Sequence, residues 1–169
     1  MLAWFALGAC ASLYGGRTQS TSSADPTPSQ DVPPVGATRV PLPGAYRFDA
    51  RVTEPGRFVA RSRHEWQLLW RYLFERAGST AAPAPEIDFS KEMVIVVAMG
   101  VRTTTGYLIV VDSVYILGDE TNVVVRSETP GEGCGHLMGW TWPVDVVRAP
   151  RNERPVRFIE RAATRVCQR

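Results

Sequence analysis

The sequence predicts a mainly β domain of the α+β class, an antiparallel β-sandwich or open barrel of about seven strands with one amphipathic helix (62–77) packed against it. Residues 93–128 hold β-branched, nearly continuous apolar runs, each closed by glycine and polar residues, which is typical of strands inside a sheet. Helical spacing of apolar residues is confined to 62–77. Most predicted strands are joined by short turns, which favours antiparallel pairing.

Composition limits the possible classes of protein. The chain has 169 residues, 44% of them hydrophobic, and a formal net charge of +2. It is therefore long enough for one domain with a real core. The charge is too balanced for the basic surface of a nucleic-acid-binding domain, so no nucleic-acid partner is predicted.

The first ten residues form an apolar run much shorter than the ~20 residues that a membrane-spanning helix needs. This run is typical of the end of a secretory signal peptide, and Leu7-Gly8-Ala9-Cys10 is similar to a bacterial lipobox. We therefore expect Cys10 to be lipidated and the protein to be anchored in the bacterial cell envelope. Because a basic segment is missing, we also expect basic residues before Met1. The alternative is a short apolar N-terminus with a chance cysteine.

Residues 11–44 are rich in Ser, Thr, Gly and Pro and have little to bury. Such a segment cannot offset the entropy of ordering, so it is predicted to be a disordered tether. The folded domain is then predicted to span residues 45–169.

The domain is predicted to begin with a half-buried strand at 46–52 and a second short strand at 58–61. A capping box follows, with Ser62 as N-cap and Glu65 three residues later. The helix then carries an apolar stripe: Trp66, Leu69, Trp70, Leu73 and Phe74. The two tryptophans resemble a ligand-stacking pair, but an aromatic stripe at helical spacing favours core packing.

Three apolar strands are predicted between residues 93 and 125, the last two joined by a hairpin turn at 118–121. A further strand is predicted at 140–147, where apolar and polar residues alternate. Pro143 lies inside it and has no N–H to donate, so we expect an edge strand or a bulge there. A last strand is predicted at 156–159.

The order of these elements resembles the PrcB C-terminal domain family over roughly residues 58–160. The motifs that carry the resemblance are the capped helix at 62–70, Ile87-Asp88-Phe89-Ser90-Lys91, Thr104-Thr105-Gly106-Tyr107, Pro130-Gly131 and Trp142-Pro143-Val144-Asp145-Val146-Val147. Thr105 stands where the family usually has a glycine. The resemblance implies a bacterial lipoprotein that acts as an accessory subunit of a surface protease complex. It implies no catalytic residues.

The three cysteines of the chain suggest separate roles. With Cys10 assigned to a lipid, Cys134 and Cys167 are predicted to form a disulfide in an oxidising compartment. Two less favoured alternatives use free thiols. One pairs Cys134 with His136 as nucleophile and base, and the other is a zinc site of both cysteines with His136 and His64, whose spacing matches no common zinc motif. No metal or cofactor is predicted.

The predicted function is that of a non-catalytic envelope lipoprotein that binds another protein, a protease or its precursor, and reaches the membrane through its lipid anchor. The predicted partner-binding residues are Arg102, Thr103, Thr104, Thr105, Gly106, Tyr107, Trp142 and Pro143. The alternative is a small-ligand binding module with a pocket lined by Trp140 and Trp142. The many arginines after residue 147 favour a solvated surface over contacts with lipid head groups or an acidic partner.

Overall fold

The computed structural model describes residues 34–42, 48, 50–75 and 82–167. Predictions for the signal segment, Cys10 and most of the tether lie outside these residues. The elements are β1 (Thr38–Arg39), β2 (Gly56–Ala60), α1 (Arg63–Phe74), β3 (Glu92–Ala98), β4 (Arg102–Thr104), β5 (Leu108–Leu117), β6 (Glu120–Pro130), β7 (Met138–Thr141), β8 (Val144–Pro150) and β9 (Val156–Arg165). Because β1 and buried Val40 fall inside the predicted tether, the packed domain begins before residue 45.

The strands form a sandwich, which confirms the predicted fold class. One sheet has the order β1-β8-β3-β2 and is antiparallel throughout. The facing sheet has the order β5-β6-β9, and β4 pairs with β7 in a separate two-stranded ribbon. The expected antiparallel pairing fails for β6 and β9, which run parallel. Between β6 and β9 the chain passes through β7 and β8, which belong to the other sheets. Strand β9 then re-enters this sheet and runs in the same direction as β6.

Strand β3 lies at the centre of the molecule, because both of its faces are buried. Ile95 and Val97 pack toward the sheet that contains β5 and β6, whereas Val94 and Val96 pack toward α1. A strand covered on both faces needs apolar residues at every position. This explains the continuous apolar run in the sequence.

Helix α1 begins with the predicted capping box. Ser62 Oγ accepts a hydrogen bond from the Glu65 amide at 3.2 Å, and the Glu65 carboxylate accepts bonds from the amides of Arg61 and Ser62 at 2.7 and 3.1 Å. The Arg61 amide bond is the main cause that lowers the pKa of Glu65. Trp66 and Trp70 are buried, and their Nε1 groups donate to backbone carbonyls. The tryptophans are therefore core residues, as predicted.

Two predicted strands differ from the structure. The described part of the first one, residue 48 and residues 50–52, contains no strand. The Arg51 amide bonds to the Leu73 carbonyl at the end of α1 instead of to a neighbouring strand. The predicted strand 140–147 is divided at Pro143 into β7 and β8, which belong to different sheets. In the described part of the chain β7 pairs only with β4, and with an irregular register, so the expected edge and bulge hold for β7 but not for β8. Strand β8 lies between β1 and β3, and the Pro143 carbonyl accepts from Met99 at 2.9 Å.

A buried carboxylate links the two sheets of the sandwich. Asp145 on β8 is 1% exposed and accepts hydrogen bonds from Arg39 Nε on β1 at 2.9 Å and from the Val111 amide on β5 at 2.9 Å. The hydrogen bond to Asp145 raises the pKa of Arg39. One side chain therefore joins three strands.

Candidate interaction site

The β4–β7 ribbon, residues 102–107 and 137–142, brings together the two groups of predicted partner-binding residues. Arg102 lies opposite Thr141, and Thr104 lies opposite Met138. The turn that follows β4 is fixed to the other strand, because the Thr105 amide donates to the Leu137 carbonyl at 3.0 Å and Thr105 Oγ1 accepts from the Leu137 amide at 2.9 Å. The predicted partner-binding stretch after β3 is thus a short paired strand, residues 102–104, followed by a turn.

Aromatic contacts hold several ribbon side chains in place. The Arg102 guanidinium lies 5.5 Å from the centroid of the Tyr107 ring, and that of Arg51 lies 4.6 Å from the Trp142 ring. Trp140 and Trp142 meet edge to face at 6.4 Å. Cation–π and edge-to-face contacts of this kind favour fixed side-chain orientations.

The predicted residues differ in how much surface they offer to a partner. Thr103 is exposed, while Arg102, Tyr107 and Trp142 are half-buried. Pro143 is buried, which removes it from the predicted contact residues. Its role is structural, since it joins the ribbon to β8.

The most exposed part of the ribbon is apolar. We define the apolar patch as Leu137, Met138 and Trp140, whose exposed fractions are 74%, 83% and 71%. Sequence reasoning did not select Leu137 or Met138 as site residues. Their position in a glycine-rich stretch, between Gly135 and Gly139, was the one available signal, because so short an interrupted apolar run does not fit a core strand.

A disulfide confirms the predicted pairing of Cys134 and Cys167, whose Cα atoms lie 5.1 Å apart. It connects the loop before β7 to the end of β9, and the Gly131 amide also donates to the Arg165 carbonyl at 3.1 Å. Because both sulfurs are bonded to each other, the free-thiol alternatives, a Cys134 nucleophile and a zinc site, do not fit. His136 Nδ1 lies 3.2 Å from the Cys134 carbonyl oxygen.

The strands from β3 to β8, with the ribbon among them, form the middle of residues 58–160, over which the sequence resembles the PrcB C-terminal family. Residues 93–150 match the family model described as PrcB C-terminal. The resemblance inferred from the sequence is therefore confirmed over this stretch. Searches of curated proteins and of solved structures found no match.

The PrcB C-terminal match contains both strands of the ribbon and the whole apolar patch. Strand β2, helix α1 and strand β9 lie outside it. The disulfide therefore joins a cysteine inside the matched residues to one beyond them. The candidate site belongs to the part of the chain that is similar to the family.

The tryptophan pair does not form the pocket expected for a small ligand. Trp140 is 71% exposed, so it cannot enclose a ligand against Trp142. A groove of about 500 Å³ has its walls on β2 and α1, and neither tryptophan contributes to it. Across the described ranges, no cluster of three or more His, Cys, Asp or Glu residues is arranged to hold a metal ion.

Three of the six arginines that the structure describes after residue 147 form ion pairs: Arg148, Arg151 and Arg165. Arg165 Nη2 lies 2.9 Å from Glu128, and Arg151 Nη2 lies 2.7 Å from Glu153. These exposed pairs fit a solvated surface. Among the described residues, no helix is both long and apolar enough to cross a membrane.

Proposed function

We propose that this protein is a non-catalytic, lipid-anchored accessory protein of the bacterial cell envelope, whose β domain binds another protein through the β4–β7 ribbon. The expected partner is a surface protease or its precursor. The match of residues 93–150 to the PrcB C-terminal family supports this, because that resemblance implies a protease-associated subunit. The observation that carries the proposal is the exposure of the apolar patch.

The energetics of the patch favour a contact surface. Burying a side chain the size of leucine or methionine stabilises by roughly 1.5–3 kcal/mol. Leu137, Met138 and Trp140 lie within four residues of one another and retain most of their exposure. Aromatic residues and methionine are enriched in the buried centre of protein interfaces. The patch therefore has the composition of an interface centre.

The surroundings of the patch prepare it for binding. The ribbon hydrogen bonds at Thr105 and Leu137 and the Cys134–Cys167 disulfide hold its backbone in one arrangement. A surface that is already ordered loses less conformational entropy when a partner binds. Thr103 and Arg102 lie on the paired strand, where they supply a polar rim to the apolar centre.

The binding proposal is tested by removing the apolar groups without changing the fold. We expect the M138S/W140S variant to capture at least tenfold less of its partner from envelope extracts than the unchanged protein, because both substitutions remove apolar area from the interface. Leu117→Ser is the matched control, since Leu117 is exposed at 48% but lies on β5, outside the ribbon. Mass spectrometry identifies the captured protein.

Equal capture by the M138S/W140S variant and the control would refute the ribbon as the binding surface. Repeated failure of the unchanged protein to recover any envelope protein would refute the binding function itself. The anchor is tested separately by labelling cells with a palmitate analogue. Labelling that persists in Cys10→Ser would refute lipidation at that residue.

A further inference from the structure

The edge strands of the two sheets differ in how they are protected from pairing with other chains. Strand β1 has only two residues, and β5 has an irregular register between Val111 and Ser113. Strand β9 has arginines at positions 157, 161 and 165. Short length, bulges and charge are the usual means of blocking an edge. Strand β2 has five residues and a regular register with β3.

The one charged residue of β2 does not block its edge. Arg57 Nε lies 2.7 Å from Glu160 on β9, and Arg57 Nη1 donates to the Ala98 carbonyl on β3 at 2.8 Å. The guanidinium is thus held over the sheet, where its charge is paired with that of Glu160. Among the described residues, no strand pairs with the outer side of β2.

The direction of the backbone groups of β2 follows from the pairing of β3. The Met99 amide donates to the Pro143 carbonyl, so odd-numbered residues of β3 form their backbone bonds with β8. Hydrogen-bonded positions alternate along an antiparallel strand, so even-numbered residues of β3 bond to β2. Their partners there include Phe58. The N–H and C=O groups of Arg57 and Val59 consequently point away from β3.

An apolar surface lies next to this edge. The Tyr72 ring meets the Phe58 ring edge to face at 5.9 Å, and Tyr72 is 59% exposed. Leu68, one turn earlier on α1, is 44% exposed. These residues line the groove of about 500 Å³ between β2 and α1. The apolar surface is centred on Phe58, midway between the two outward-facing backbone positions.

We propose that β2 pairs with β2 of a second copy of this chain, antiparallel and about a two-fold axis that passes between the two Phe58 residues. Arg57 of each copy then exchanges both backbone hydrogen bonds with Val59 of the other. The two four-stranded sheets become one continuous sheet. A two-fold contact requires a self-complementary surface. The Phe58–Tyr72 pair then lies beside the axis, where contact with the second copy would cover the exposed face of Tyr72.

A cysteine at the axis tests this geometry directly. In the full chain carrying Cys10→Ser, Phe58→Cys is expected to form a disulfide-linked dimer under mild oxidation. Residues opposite each other in a non-hydrogen-bonded antiparallel pair have Cα atoms ~4.5 Å apart, within disulfide range. Val59→Cys is the matched control, because Val59 faces Arg57 of the other copy and lies too far from its own equivalent. It is expected to remain uncrosslinked.

Association in solution tests the same contact without crosslinking. Sedimentation of the Cys10→Ser chain is expected to show a concentration-dependent dimer. Val59→Pro removes an outward N–H and none of the bonds to β3, so the dissociation constant is expected to rise about tenfold or more. Tyr72→Glu should act likewise, whereas Gln67→Glu, exposed on the same helix, should have little effect. Circular dichroism confirms that each variant is folded.

A chain that stays monomeric up to about 100 µM, far above a micromolar dissociation constant, would overturn the proposal. Equal crosslinking of the cysteines at 58 and 59 would also overturn it, because the register would then be wrong. Recovery of a different protein crosslinked to position 58, with no dimer of this chain, would assign the edge to a partner's strand instead.

Discussion

Removal of the Asp145 carboxylate should destabilise the whole sandwich. In the folded protein this buried group accepts a hydrogen bond from the Val111 amide and pairs with Arg39. Asp145→Ala leaves the Val111 amide without its acceptor inside the core. It also leaves the Arg39 guanidinium without the carboxylate that joins β1 to β8.

The expected loss is the sum of two contributions. A hydrogen bond to a charged group contributes roughly 1.5–3 kcal/mol, and a buried amide left without a partner forfeits an amount of this order. Breaking a fully buried ion pair costs roughly 3–5 kcal/mol. The Arg39 side chain is 48% exposed, so water replaces much of its interaction and about 1 kcal/mol is a suitable allowance. Together they predict a free energy of unfolding lower by about 3 kcal/mol.

Urea unfolding measures this difference. With a slope of about 2 kcal/mol per molar urea, the midpoint of Asp145→Ala should fall by about 1.5 M while the slope stays constant. Asp145→Asn retains an oxygen for the Val111 amide, so its midpoint should fall less. Arg39→Ala should also have a smaller effect. A midpoint for Asp145→Ala within about 0.3 M of the unchanged protein, roughly 0.6 kcal/mol by the same slope, would refute the assigned role.

Three further changes have defined outcomes. Reducing the Cys134–Cys167 disulfide should lower the free energy of unfolding by roughly 3–4 kcal/mol, because the bond closes a loop between residues 33 positions apart. Urea unfolding with and without reductant measures this difference. Glu65→Ala should cost about 0.5–1 kcal/mol at pH 7. The pKa of Glu65 is lowered in the fold, so this difference should be fully present above its usual value of 4.5 and decrease as the pH falls through the lower folded pKa. A difference that does not decrease at all on acidification would contradict the cap. Gly100→Ala should lower the free energy of unfolding by about 3 kcal/mol, because φ is 77° and the new Cβ would lie 2.7 Å from a backbone oxygen. Gly118→Ala is the control in the same urea assay. It should cost only about 1 kcal/mol, because its φ of 59° is accompanied by open space around the new Cβ.

Elements that depend on local signals were predictable from the sequence. The capping box at Ser62 and the apolar stripe after it define α1 without reference to any other part of the chain. The continuous apolar run of β3 likewise predicts that both faces of this strand are buried, and they are. The alternation in β8 predicted correctly that Asp145 and Val146 lie on opposite faces.

Features that depend on which strands meet were not predictable. Periodicity shows which face of a strand is apolar, but it does not name the neighbouring strand. The sequence therefore did not predict that β6 and β9 pair in parallel, nor that the strand expected at 140–147 is divided at Pro143. The same limit applies to the site, because Leu137 and Met138 have the composition of core residues. Their exposure follows from the position of β7, which, in the part of the chain that the structure describes, pairs only with the short β4.

The order of strands in the β5-β6-β9 sheet also sets the smallest piece of the chain that should stay soluble on its own. The family match ends at residue 150, before β9. A fragment of residues 93–150 would leave one side of β6 unpaired and would strip α1 and β2 from β3. Open apolar edges of this kind template aggregation. A stable excised domain should therefore extend from before β1 to beyond Cys167.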